Sequence, residues 1–498
     1  MTWALAIVAA VLSFLAFPGM GIWPLAFVSL SPLLYSLDGL TWRRALLHGW
    51  LAGTVGNLLG FHWLVYTVQV FGDLPWLFAV FAYALMCTGN GLGWGVFCAL
   101  SRLVKDKRTG ETPFWWPAVT FCAVEFAWWS VFPAFFGASL YKAPLLMQGA
   151  DLASVLGCSF LVLVTNGALA EGIRAIRKQP NRWRRAAIGA AALLAFWVGY
   201  GALRWHQVSS QMASSRSLKI GMVQANIGGV DKRGFGEEAA VMHQDASREL
   251  EALGVQLIVW PETAYPAFVD QRSRNLRRAV GLLETPVIFG AVTGDAKERE
   301  FNSAILVDAE GNVRGYSHKI YMIPFGEYLP FGETFPSLYD LIPAIAHLTP
   351  GEKPLPLALP DLRFGAIICY EDILPYYVRR VAKATDPDLL VNLTNDSWYG
   401  DSTEQEIHLA LATFRAVELR RGLIRSTNTG ISALVDPLGR IVTRGSQQTE
   451  EIISGELPVL THGGTLYLWL GDWLGWGCTA ASLVVVFRHF RRVRKKST

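Results

Sequence analysis

The chain has 498 residues, of which 52% are hydrophobic and 12% aromatic, with 19 tryptophans and a formal net charge of +4. That is too apolar for a single soluble protein, while the charge gathered in the second half excludes a pure membrane bundle. Two kinds of domain are therefore expected.

Seven apolar stretches come first, near 3–17, 22–37, 45–70, 74–100, 114–135, 145–170 and 186–205, and an eighth covers 465–487. The clear ones have the roughly 20 residues that cross a bilayer core. The first two are shorter and joined by Phe17-Pro18-Gly19, so a re-entrant hairpin is the alternative; we read them as spans. The expected architecture is a membrane α-helical bundle of about eight transmembrane helices plus an α/β domain. Seven spans fall within 1–208, the α/β domain covers 218–458, the last span is 465–487, and 488–498 is a basic tail. Within the fourth stretch, Gly91-Leu92-Gly93-Trp94-Gly95 has the composition of a phosphate loop but lies in a span, where small residues let helices approach closely. Glu125 stands in the fifth, and an intramembrane carboxylate is either a functional group or a packing device. Residues 1–17 lack an early basic region and lead straight into further spans, so no removable signal is expected.

Lys and Arg are retained on the cytoplasmic side of membranes. With the N-terminus inside, the inner loops carry Arg43, Arg44, Arg102, Lys105, Lys107, Arg108, Arg174, Arg177, Lys178, Arg182, Arg184 and Arg185, and the tail carries Arg488, Arg491, Arg492, Arg494, Lys495 and Lys496. Only Lys142, Arg204 and Arg216 fall on the outer short segments, which places the α/β domain outside. Between Leu218 and Gly464 there are 23 Lys and Arg against 32 Asp and Glu. An acidic outer domain disfavours nucleic acid as a partner, and basic runs such as 491–496 read as topology determinants.

After a polar linker at 209–217 the periodicity changes to strands alternating with helices. The spacing predicts a strand at 219–224, a helix at 237–253, a buried strand at 256–260 ending in Trp260-Pro261-Glu262, a helix at 275–283 and a strand at 287–292. A hairpin of 304–308 with 313–319 turns at Glu310-Gly311-Asn312 and ends at His318-Lys319. Residues 324–360 fit neither pattern: eight prolines stand among Phe325, Phe331, Phe335, Leu338, Tyr339, Leu341, Ile342 and Ile345. A loop so long and so apolar suggests a lid or a membrane-dipping arm, with a loop packed on its own core as the alternative. Then come a strand at 363–368, a helix at 374–384, a strand at 389–393 and a helix at 408–421 with the stripe Leu411, Phe414, Val417. Strands at 423–426, 431–435 and 440–443 complete an α/β layered domain.

Five of the six cysteines, Cys87, Cys98, Cys122, Cys158 and Cys478, lie in or beside spans, where Cys is a small hydrophobe. Cys369 is alone in the polar half and follows Phe364-Gly365-Ala366-Ile367-Ile368, the pattern of a nucleophile on a strand-to-helix turn. A thiol without a partner in an oxidising compartment is a candidate reactive group. It needs a base and positive potential: Glu262 can supply the first, while Lys319 and the start of the helix near Leu374 can supply the second. A developing oxyanion in acyl transfer would be stabilised by the same ammonium. His243, His318, His408 and His462 lack ligand spacing, so no metal is expected, and no Gly-x-Ser-x-Gly elbow is present.

Six further signatures accompany Trp260-Pro261-Glu262. They are Val223-Gln224-Ala225-Asn226-Ile227, Lys319 with Pro324-Phe325-Gly326-Glu327-Tyr328, Cys369-Tyr370-Glu371, Asn395-Asp396-Ser397-Trp398-Tyr399-Gly400, Arg415-Ala416-Val417-Glu418 and Asn428-Thr429-Gly430-Ile431-Ser432. Over 218–457 this pattern resembles the nitrilase superfamily, whose members carry Glu, Lys and Cys in that chain order on an α-β-β-α sandwich. With spans before and after it, the whole chain is similar to the apolipoprotein N-acyltransferase family of the bacterial inner membrane. The resemblance implies Glu262 as general base, Lys319 as stabiliser of the tetrahedral intermediate, Cys369 as acylated nucleophile and Glu327 as an auxiliary acid. It also implies that Tyr370, Glu371 and Trp398 shape the pocket. Trp128 stands where relatives tend to have an Arg three residues after the span Glu, which leaves any borrowed role for Glu125 unsupported.

The implied reaction has two steps: a phospholipid acyl chain moves to Cys369, then to the α-amine of an S-diacylglyceryl cysteine at a lipoprotein's N-terminus. The implied partners are a phospholipid acyl donor, a diacylglyceryl apolipoprotein acceptor and membrane lipids, with no cofactor and no nucleic acid, and the implied state is a monomer. A membrane-tethered amidase or nitrilase using water is the alternative enzyme. A transporter or lipid-binding protein with an inactive module is the alternative from another class.

Overall fold

The structure is a computed structural model that describes residues 2–104, 112–177, 183–228, 236–332, 334–335, 337, 348–460 and 464–497. Lys105, Lys107, Arg108, Lys178, Arg182, His462 and the expected apolar positions Leu338, Tyr339, Leu341, Ile342 and Ile345 lie outside the described residues. Two compact units form: Met1–His62 with Val80–Trp205 and Trp469–Thr498, and Trp63–Ala79 with His206–Leu468. The expected boundaries are thus altered, because 63–79, 206–208 and 465–468 belong to the second unit.

The first unit is helical. Among the described residues, three helices are long and apolar enough to cross a membrane: Trp76–Ser101, Ala150–Ile176 and Trp183–Ser214. Several expected spans are broken. Residues 22–37 form three short pieces, Trp23–Leu25, Ala26–Ser29 and Ser31–Ser36. The Asn166 Oδ1 accepts the N–H groups of Leu30 (2.8 Å) and Ser31 (3.0 Å), supplying at the break the bonds that a continuous helix would make internally. The stretch 45–70 divides into Trp42–Gly60 and Leu64–Val70. In 114–135 the helix Trp116–Ala127 ends at Trp128, which is extended, and Glu125 Oε1 accepts the N–H of Phe136 at 2.6 Å. The linker at 209–217 is also corrected, since the helix Trp183–Ser214 runs through most of it. At the C-terminal end the apolar run breaks at Gly471 (φ +66°) before the helix Trp473–Ser497. Gly91 and Gly95 do bring helices together: a Cβ on Gly91 would lie 2.4 Å from Thr54 Oγ1, and one on Gly95 2.8 Å from the Leu46 carbonyl oxygen.

The second unit contains two sheets. Its strands are β1 (Ser217–Gln224), β2 (Leu257–Val259), β3 (Tyr265–Asp270), β4 (Val287–Gly294), β5 (Glu300–Val307), β6 (Val313–His318), β7 (Pro356–Leu359), β8 (Leu362–Ile368), β9 (Leu389–Thr394), β10 (Gly422–Thr427), β11 (Ala433–Val435), β12 (Ile441–Arg444) and β13 (Glu451–Pro458). One sheet has the order β13-β1-β2-β4-β5-β6, with β3 also on β4, and the other β12-β11-β10-β9-β8-β7. Strand alternation builds the layers. Phe364, Ala366 and Ile368 join Ile220, Val259 and Leu306 in a core between the sheets, whereas Ile367 faces Val378, Leu409 and Ala412 of the helices Pro375–Thr385 and Glu404–Leu419. On the other side Val223, Ile258 and Phe289 pack with Leu250 of the helix Gly236–Ala252. The result is a four-layer α-β-β-α sandwich, as the resemblance implies.

One predicted helix is absent. Residues 275–283 form turns because their backbone is engaged by the hairpin, with Leu276 N donating to Gly311 O (2.8 Å) and Val313 N to Arg274 O (2.9 Å). The strands β3, β7 and β13 were not expected; β13 pairs with β1 along its whole length, from Ser217 opposite Pro458 to Gln224 opposite Glu451. Strand β7 takes up part of the long apolar segment 324–360.

Candidate active site

Cys369 is the residue at which β8 becomes the 3₁₀ turn Cys369–Ile373, and its backbone is left-handed at φ +51°. A non-glycine residue holds that conformation only where its surroundings enforce it. Glu371 is one enforcer. Its Oε2 accepts the N–H of Ile368 (2.8 Å), and its Oε1 accepts those of Ile320 (2.7 Å) and Tyr321 (3.0 Å). Burial pushes this carboxyl up to about 7 against those three donors. Glu371 therefore joins the segment after Lys319 to the segment before Cys369.

Lys319 follows β6 directly. Its N–H donates to Asn302 O and its carbonyl accepts from Gly351 N, both at 2.8 Å, so the backbone is fixed on both sides. The side chain is 1% exposed, and its Nζ donates to Glu327 Oε1 (2.6 Å) and Glu262 Oε1 (3.2 Å). Burial alone would lower this ammonium's pKa, but Glu262 and Glu327 outweigh it and hold it well above the ordinary lysine value. The second oxygen of Glu327 accepts the Ile323 N–H at 2.8 Å. Cys369, 1% exposed, lies within electrostatic reach of all three: burial and Glu262 push its thiol up, while Lys319 pulls it down.

Glu262 sits just past β2, and Thr263 after it is left-handed at φ +48°. Gly290 of β4 makes room for this bend. A Cβ there would meet Thr263 N at 2.5 Å, Pro261 O at 2.6 Å and Glu262 Cα at 2.7 Å, all backbone atoms that cannot rotate away. Gly290→Ala is expected to destabilise the unit by about 1–3 kcal/mol, read as a lowered thermal midpoint of the full-length protein.

The fold brings Glu262, Lys319, Glu327, Glu371 and the Cys369 turn, all expected from the sequence, to one place. Tyr370 is buried beside them, and burial holds its phenol above the ordinary value, with Tyr328 adding to the shift and Lys319 opposing it. Trp398 belongs to the 3₁₀ turn Asp396–Tyr399 beyond β9. That turn is met by residues 63–71, which the sequence reading placed at the end of the stretch 45–70 and just beyond it. Thr67 Oγ1 donates to the Trp398 carbonyl (2.7 Å), Phe71 stacks on the Trp398 ring (centroids 4.3 Å), and Trp63 meets Tyr399 edge-on (4.8 Å). Asn302 was also missed: its Nδ2 donates to Glu262 Oε1 at 2.7 Å. An Asn inside a strand carries no local signal of that role.

A family model described as carbon-nitrogen hydrolase matches residues 219–463, and one described as the apolipoprotein N-acyltransferase N-terminal domain matches 9–168. An apolipoprotein N-acyltransferase of Geobacter metallireducens is 31% identical over 506 residues, covering 98% of this chain and 95% of that one. Those of Azotobacter vinelandii (30%, 99% and 95% covered) and Bdellovibrio bacteriovorus (30%, 82% and 79%) are similarly related. Among solved structures, Saccharomyces cerevisiae Nit3 of the nitrilase superfamily is 22% identical with a TM-score of 0.39, covering 49% of this chain and 90% of that one. Since relatives at 30% identity or more align with nearly its whole length, the chain belongs to the apolipoprotein N-acyltransferase family.

Proposed function

We propose that this enzyme moves an acyl chain from a membrane phospholipid to Cys369 and then to the N-terminal α-amine of an S-diacylglyceryl cysteine in an apolipoprotein. The observation that carries the reading is the contact of one buried ammonium, Lys319 Nζ, with both Glu262 and Glu327 beside the strained Cys369 turn.

Each step balances on these residues. Burial stores Cys369 as a thiol, so its proton leaves as the sulfur attacks: Glu262 takes the proton while sulfur bonds to the ester carbonyl carbon. The carbonyl oxygen becomes anionic against the Lys319 ammonium, which its two carboxylate neighbours keep charged. Collapse breaks the ester C–O bond, and the departing lysophospholipid oxygen takes the proton from Glu262. In the second half, the acceptor amine nitrogen bonds to the thioester carbon, Glu262 accepts a proton from it, the C–S bond breaks, and the departing sulfur takes that proton back from Glu262. Glu327 anchors Lys319 between the Ile323 backbone and the cluster. Exposed Phe325, Phe331 and Phe335 on the long segment favour lipid substrates over a water-using amidase.

The finer organisation is also part of this reading: a multi-pass protein of the bacterial inner membrane, working as a monomer, with about eight crossings. Its bundle lies within 1–208 apart from 63–79, which folds with the catalytic unit; its periplasmic catalytic domain is 218–458, its last span lies within 465–487 and its cytoplasmic tail is 488–498. The distribution of Lys and Arg supports that orientation.

Full-length protein in lipid micelles, given phospholipid with a labelled acyl chain, is expected to carry a hydroxylamine-labile label on the Cys369 peptide. A lipopeptide with a free S-diacylglyceryl cysteine amine then removes that label as N-acyl product. Release as free fatty acid at the same rate with and without lipopeptide would make the enzyme a hydrolase. The segment 63–71 is also testable: Phe71→Ala removes a stack worth about 0.5–1.5 kcal/mol from the Trp398 ring. A rise of about two- to tenfold in KM for the acyl donor is expected, with kcat little changed.

A further inference from the structure

Beneath the Cys369 turn lies a closed ring of charge that the reaction above does not use. Asp372 is in the Cys369 turn, Asp396 opens the Trp398 turn, His408 comes from the helix Glu404–Leu419, and Arg425 from β10. Each carboxylate oxygen takes one bond. Asp372 accepts from His408 Nε2 (2.7 Å) and Arg425 Nη1 (2.5 Å), and Asp396 from His408 Nδ1 (2.9 Å) and Arg425 Nη2 (2.9 Å). All four side chains are 0–2% exposed. Gly430 leaves room for the ring, since a Cβ there would lie 2.1 Å from Asp396 Oδ2.

The ring reaches the nucleophile by two routes. Asp372 is three residues after Cys369 in the same turn. In addition, Arg425 Nη1 donates to Asn392 Oδ1 (2.7 Å), and Asn392 Nδ2 donates to the carbonyl of Cys369 (3.4 Å). Charge balance is the second property. Burial and Arg425 both disfavour a charged His408, but Asp372 and Asp396 outweigh them and push it up to about 9. At neutral pH the ring therefore holds two positive and two negative charges.

We propose that Asp372, His408, Asp396 and Arg425 form a positioning device for acyl transfer, which locks the Cys369 and Trp398 turns together and keeps uncompensated negative charge away from the sulfur. Packing alone is a poor account of it, because a buried ion cluster is often replaceable by apolar residues without loss of stability. This one sits where two turns of the site must be held.

The inference rests on Cys369 being the acylated residue, and its test separates the two claims. Full-length His408→Gln leaves Arg425 facing two carboxylates. Acyl-enzyme formation is expected to fall about a hundredfold, and the pH midpoint for alkylation of Cys369 by iodoacetamide to rise. Asp372→Asn/His408→Gln restores neutrality, so the midpoint returns toward wild type and the rate recovers at least about tenfold. Glu262, Lys319, Glu327 and Tyr399 also act on this thiol, and Glu404 and Tyr399 face His408, so the variants are compared with one another. If His408→Gln does not fold, Asp372→Asn alone makes the ring net positive and is expected to lower the midpoint. Folded variants with wild-type rates and midpoints overturn the proposal, as does equal impairment of single and double variants. Alkylation needs no acyl transfer: a wild type alkylated at Cys369 but never acylated would refute the proposed function and leave the ring's electrostatic effect measurable.

Discussion

Cys369→Ser is expected to abolish the acyl-enzyme and reduce transfer by more than about a thousandfold. The substitution changes one atom. Serine fits the same left-handed position at φ +51° and the same buried space, so the fold and the Lys319 contacts should persist. What changes is the acidity of the nucleophile. A thiol ordinarily loses its proton near 8.5, and although burial and Glu262 raise Cys369 above that, Lys319 pulls it back down and so assists the proposed carboxylate base. A serine hydroxyl is far less acidic, and it would need a stronger base than a carboxylate: His408, in the ring beneath the turn, is committed through both nitrogens to Asp372 and Asp396. The measurement is covalent label on the peptide that contains position 369, with transfer to lipopeptide followed in parallel. A Cys369→Ser protein that transfers at more than about a hundredth of the wild-type rate would mean that another residue carries the acyl group.

Glu327, Tyr370, Glu371 and Trp398 were legible only through the family resemblance, whereas the three residues given chemistry from the chain itself each come at the end of a predicted strand. Glu262 follows β2, Lys319 follows β6 and Cys369 follows β8, so chain pattern and chemistry point to the same positions. The parts that were not legible depend on partners far away in the chain. Asn302 acts because β5 places it beside Glu262, and Asn166 breaks residues 22–37 only because its helix passes Leu30. Residues 63–70 end an apolar stretch long enough to read as a span, yet Trp63 and the following Phe71 are spent on Tyr399 and Trp398. Local pattern records how much apolar surface a segment must bury, and it does not record against what. The predicted helix at 275–283 failed for the same reason: the Leu276 N–H donates to the Gly311 carbonyl, and the Arg274 carbonyl just before it accepts the Val313 N–H.

Lys319→Met tests the electrostatic core of the mechanism, and its effect should be large in both activity and stability. Nζ touches Glu262 and Glu327 together, at 3.2 Å and 2.6 Å. Methionine fills the same volume without charge and leaves two buried carboxylates facing each other, a loss of about 3–5 kcal/mol when one partner of a buried pair is removed. The remaining carboxylates relieve their repulsion by holding a proton, which raises their apparent pKa above that of the unfolded chain. A raised carboxyl pKa makes folding more favourable as pH falls, so the variant's stability deficit should be greatest near pH 8 and shrink toward pH 5. Wild type should show no such recovery from this site, because its raised lysine contributes stability that is fully present below the unfolded lysine pKa and is lost only as pH rises through the folded one. The shared proton also disables Glu262 as a base, and the oxyanion loses its ammonium. Together these should lower acyl-enzyme formation by more than about a thousandfold. Thermal unfolding from pH 5 to 8, run beside the acylation assay, separates the two effects. A Lys319→Met protein acylated within tenfold of wild type would reduce Lys319 to a scaffold and remove the positive charge from the proposed transition state.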